Sequence, residues 1–108
     1  MKGTIILFRL PPKTPHSIVN KFCKQFYGQD TSSHQGKYRY HRRGLLDDIP
    51  HRRLIRQSLI VKQKDSERVI EFLKRYTTTL FTRVVELTDE DRKILDSFHE
   101  SYKSQEED

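Results

Sequence analysis

Alanine and tryptophan are absent from this chain of 108 residues, and cysteine and methionine occur once each. Without alanine, the best intrinsic helix former, any helix must be built from larger side chains and held by docking an apolar face. The lone Cys23 excludes an internal disulfide and any multi-cysteine zinc site, and a reducing, cytoplasmic setting is the simplest account of it. Long apolar runs are also missing. The longest, Ile5 to Phe8, has four residues, against the roughly 20 of a membrane span and the roughly 7–15 of a signal peptide. Neither membrane association nor secretion is expected. No G-x-x-x-x-G-K-[ST], G-x-G-x-x-G, G-x-S-x-G or H-E-x-x-H occurs, which removes the common nucleotide, hydrolase and zinc-protease mechanisms. Neither a cofactor nor a metal is predicted.

What remains is charge. Apolar and charged residues each make up 33% of the chain, and the net charge is +6. So small an apolar share allows one economical core and leaves much of the chain at the surface. The last ten residues, HESYKSQEED, carry a local −3, so the first 98 hold +9. The reading is one domain over residues 1–98 and an acidic, disordered tail over 99–108.

In chain order, Gly3 to Leu10 is a buried strand ended by Pro11-Pro12. Thr14-Pro15 opens a helix with a stripe of Ile18, Val19, Phe22, Cys23 and Phe26, stopped by Gly28. Residues 29–35, QDTSSHQ, read as an exposed loop. Lys37 to His41 alternates aromatic and basic residues and predicts a strand, tyrosines on one face and charges on the other. A turn of helix at Leu45 to Ile49 follows, then a strand over Leu54 to Lys62. Asp65 is placed to cap a second helix striped by Val69, Ile70, Leu73 and Tyr76. Thr77 to Leu87, rich in β-branched residues, predicts a last strand. Thr88 caps a third helix, with Asp91 at the capping-box position and Ile94, Leu95 and Phe98 on its docking face. The order βαββαβ plus a helix predicts an α+β fold, a ferredoxin-like sandwich with helices on one face of an antiparallel sheet and an added C-terminal helix. The two most apolar strands, the first and third, suit its centre.

The function lies in Gly36 to Arg56. Lys37, Arg39, Arg42, Arg43, Arg52, Arg53 and Arg56 stand there against only Asp47 and Asp48, with Tyr38, Tyr40, His41 and His51 among them. Cations interleaved with aromatics suit a polyanion that offers flat bases, so nucleic acid is the predicted partner, RNA or single strands ahead of a duplex site. The seven cations would contact phosphates, and Tyr38 and Tyr40 would stack. The third strand, LIRQSLIVK, lacks the aromatic and glycine signature of RNA-recognition motifs. The sequence points to binding rather than catalysis. The enzymatic alternative is a metal-independent ribonuclease with His41 or His51 as general base and Arg42, Arg52 or Arg53 on the phosphorane. Asp47, Asp48 and His51 form only a weak metal-like spacing, better explained by pairing of the two aspartates with nearby arginines. A non-enzymatic interaction module forming a homodimer is the third reading.

Overall fold

β1 (Lys2–Arg9) runs through the interior of a four-stranded antiparallel sheet. The computed structural model describes residues 1–33, 36, 38–76 and 79–106, side chains at 32, 33, 38 and 99–106 excepted. They form two compact units, Met1–Pro12 with Ile49–Asp108, and Lys13–Asp48. No helix among them is long and apolar enough to cross a membrane.

The first unit holds the mixed α+β body. In the order of the sheet, β4 (His51–Arg53) lies beside β5 (Ser58–Lys62), then β1, then β6 (Thr79–Glu86). Alternation sorts β1 cleanly: Thr4, Ile6 and Phe8 are buried on one face, with Leu59 and Val61 of β5 directly opposite Ile6 and Thr4. The other face takes α3 (Asp89–Glu106), where Leu95 and Leu87 bury against Ile60, with Ile5 beside them. α2 (Ser66–Lys74) buries Val69 and Leu73 from its predicted stripe.

The second unit is α1 (His16–Tyr27), the hairpin β2 (Gln29–Ser33) and β3 (Tyr38–Arg42), and a 3-10 turn at Leu45–Asp48. Phe22 and Phe26, buried one turn apart on α1, stack with ring centres 5.2 Å apart, and Tyr27 meets Phe26 edge-on at 4.9 Å. Gly28 ends the helix as predicted, at φ 86°, its N–H donating to Lys24 O.

The structure corrects the predicted strand assignments. Residues 29–33, read as loop, form β2, and β3 pairs with them as a separate two-stranded sheet. The edge position expected for Lys37–His41 belongs instead to His51–Arg53. The strand predicted over Leu54–Lys62 begins only at Ser58, because 54–57 turn the chain: Leu54 N–H donates to Ser58 O at 3.1 Å and Gln57 lies at φ 65°. Asp65 makes no capping hydrogen bond, and Ser66 Oγ donates to Gln63 O at 2.8 Å. The third helix has its predicted start, but α3 continues through 106, into the segment assigned to a disordered tail. Residues 34 and 35 of the predicted loop, and residues 37, 77, 78, 107 and 108, lie outside the described residues.

Candidate functional site

The centre of the second unit is His41. On β3 it points to the same side as Arg39, and the register sets Asp30 of β2 directly opposite it. Nδ1 of His41 lies 2.7 Å from Asp30 Oδ1, and Nε2 lies 2.7 Å from Asp47 Oδ2 in the 3-10 turn. A carboxylate only accepts, so two such bonds require both ring nitrogens to donate, and the group is an imidazolium. The bond to Asp47, then that to Asp30, hold its pKa above the ordinary 6.5, against an opposing contribution from burial. Asp47 Oδ2 also accepts from Gly44 N–H at 2.7 Å, while Asp47 N–H donates to Gly44 O at 3.2 Å. This is a capping box in miniature: the residue three along reaches back to the first N–H of the turn.

Two glycines make the closure possible. A Cβ on Gly28 would lie 2.8 Å from His41 Nε2 and 2.7 Å from Asp47 Oδ2, at a positive φ that side chains avoid. A Cβ on Gly44 would lie 2.3 Å from the backbone nitrogen of Gly28. The end of α1, the end of β3 and the 3-10 turn are thus brought within bare backbone distance around one histidine.

On the opposite face of β3 stand Tyr40 and Arg42. Tyr40 is 57% exposed, so it is a surface aromatic and not core. Thr31 Oγ1 donates to its carbonyl at 3.4 Å. Asp30, Thr31, Arg39, Tyr40 and His41 line an open depression of about 560 Å³. Arg39 and Arg42 are exposed, with no ion pair among the described residues, whereas Arg43 pairs with Asp48. The side chain of Tyr38, and Lys37 altogether, lie outside the description.

The rest of the basic tract belongs to the first unit. Arg52 is spent structurally: Nη1 donates to Asp91 Oδ1 at 2.6 Å and Nη2 lies 3.3 Å from Glu90 Oε1, tying β4 to the start of α3. Arg53 and Arg56 are exposed on β4 and the following turn. His51 donates from Nδ1 to Ile49 O at 2.8 Å and meets the Phe98 ring edge-on at 5.3 Å. His41 and His51 therefore serve different units, and both ring nitrogens of His41 are engaged by carboxylates. Asp47 and Asp48 are spent on His41 and Arg43, and no group of three His, Cys, Asp or Glu among the described residues is arranged to hold a metal.

The sequence reading missed Asp30 and Asp47 as the partners that orient His41. Asp30 stands in a polar stretch with no strand signature, so nothing in the sequence signalled its approach to His41. Comparison with family models, curated proteins and solved structures finds no match.

Proposed function

We propose that this protein binds nucleic acid, RNA or single strands in preference to duplex, through the β2–β3 hairpin. The observation that carries the reading is Tyr40, exposed on the hairpin on the same face as the exposed Arg42, with exposed Arg39 next to it in sequence on the other face. An exposed aromatic flanked by cations offers a stacking platform beside phosphate contacts. Charge distribution supports it: residues 13–48, a third of the chain, carry +4 of the net +6. The clamp at His41 ties β3 to β2 and to the 3-10 turn, so the platform is held in place before a ligand arrives, which lowers the ordering cost of binding. Arg43, in the same unit as the hairpin, supplements the phosphate contacts, and Arg52 is a framework residue of the other unit. The sheet order β4-β5-β1-β6 is consistent with a ferredoxin-like domain in which the hairpin is an insertion between α1 and the second strand of the sheet.

The test is a binding titration against labelled single- and double-stranded RNA and DNA over a range of salt. Log K should fall with log salt by about 0.7–0.9 per contacted phosphate. Tyr40→Ala should cost about 1–3 kcal/mol on single strands, and the double variant Arg39→Glu, Arg42→Glu should flatten the salt dependence. Absence of binding at low salt ends the proposal. The same mixtures, run on a denaturing gel, separate a binder from a nuclease.

A further inference from the structure

The two edges of the four-stranded sheet are built differently. β4 is short, three residues long and basic throughout, and Arg52 ties it to α3. β6 is eight residues long, pairs with β1 along its whole length, and has no strand beyond it among the described residues. Long open edges are templates for strand addition, and proteins usually blunt them with charge, proline or a bulge. β6, TLFTRVVE, has one cation in its interior and no proline. Apolar groups lie bare on both of its faces: Phe81 is 53% exposed on one, Val84 55% on the other, and Leu7, opposite Phe81 on β1, 39%. Arg83 folds back on its own strand, Nη1 donating to Thr82 O at 2.7 Å.

We propose that the open edge of β6 is an interface for a second copy of this chain, joined antiparallel with Thr82 facing its own counterpart on the two-fold axis. A two-fold pair of antiparallel strands must oppose residues of like parity, since directly opposed side chains share a face. Two registers use most of the strand. With the axis at Arg83, two guanidinium groups face each other and Leu80 faces Glu86. With the axis at Thr82, Leu80 faces Val84 twice, Thr79 faces Val85, and Arg83 faces Phe81 of the other copy. The second register opposes no like charges, covers the bare Val84, and sets a cation over an exposed ring. The edge is thus self-complementary: apolar Leu80 opposes apolar Val84 and no like charges meet, which a copy of the same strand satisfies. Arg83 exchanges its bond to Thr82 O for the ring of Phe81, and the carbonyl becomes available to the incoming strand. Strand pairing alone buries less than the roughly 1,200 Å² of a stable complex, so the dimer is weak and concentration dependent. This interface uses none of the hairpin residues and stands apart from nucleic-acid binding.

Sedimentation velocity from low micromolar to near-millimolar protein should show the coefficient rising toward that of a dimer. Val84→Lys removes two apolar pairs at once and should weaken association by about tenfold. Its side chain is more than half exposed, so circular dichroism should match the wild type. In a Cys23→Ser background, Thr82→Cys should cross-link under mild oxidation. Glu86→Cys should not, since its counterpart would be roughly 27 Å away along the paired strands. A wild type monomeric at every concentration, a Val84→Lys chain that associates as well as wild type, or equal cross-linking at both cysteines overturns the proposal.

Discussion

A histidine bonded to two carboxylates is the most heavily constrained residue of the second unit, and its chemistry can be tested directly. Its folded-state pKa is raised above the ordinary 6.5, first by Asp47 and then by Asp30. The folded chain therefore holds this proton more tightly than the unfolded chain does. The resulting stabilisation is complete below pH 6.5 and is lost as pH rises through the raised value. Urea unfolding of wild type and His41→Asn across that range should show a gap that is widest at the acid end and narrows toward alkaline pH. In an NMR titration the imidazole should titrate above 6.5, and Asp47→Asn should lower its pKa more than Asp30→Asn. An imidazole titrating at or below 6.5 in the wild type would falsify the clamp. Little of this was legible from sequence. His41 stood out as a basic-tract histidine, but Asp30, eleven residues before it, lay in a stretch read as loop, and Asp47, six after, was assigned to nearby arginines.

At the scale of elements, what was legible was local. Thr88 and Asp91 form the reciprocal box the sequence announced: Asp91 N–H donates to Thr88 Oγ1 at 3.0 Å, and Thr88 N–H to Asp91 Oδ2 at 2.9 Å. The Thr88 N–H is the main reason the buried Asp91 carboxyl titrates below its ordinary 3.8, with Arg52 adding to it and burial opposing. A depressed carboxyl stabilises above 3.8, and the contribution disappears as pH falls through the lowered value. Asp91→Ala should cost about 1–2 kcal/mol in urea unfolding at neutral pH, and the gap from wild type should close in acid. A loss under about 0.5 kcal/mol would show that the box adds little. The strands were harder to read where pairing depended on turns without turn residues. The β4–β5 connection is Leu-Ile-Arg-Gln, and a glutamine at φ 65° takes the place where glycine or asparagine would have announced a hairpin. β2, Gln-Asp-Thr-Ser-Ser, has the composition of a loop and is a strand because β3 lies beside it. Continuous apolar runs found β1 and β5, and apolar stripes at helical spacing found α1, α2 and α3, since burial there carries the information.

For the molecule as a whole, charge is what the proposed partner rests on. Residues 13–48 carry +4, while 102–108 carry −2. An acidic segment of the same chain offsets the attraction of the proposed polyanion partner through its own charge, and that effect is strongest where screening is weakest. Removing everything after Ser101 raises the net charge from +6 to +8 and deletes only Tyr102 among aromatic residues. The truncated chain should bind single-stranded RNA severalfold more tightly at low salt, with the advantage fading as salt approaches a Debye length of about 8 Å near physiological strength. The variant Glu106→Gln, Glu107→Gln, Asp108→Asn keeps the length and raises the net charge by three, so it should reproduce the gain. If both variants bind as the full chain does across the whole salt range, the acidic segment has no hold on the basic surface. The proposed affinity is then independent of the tail's charge.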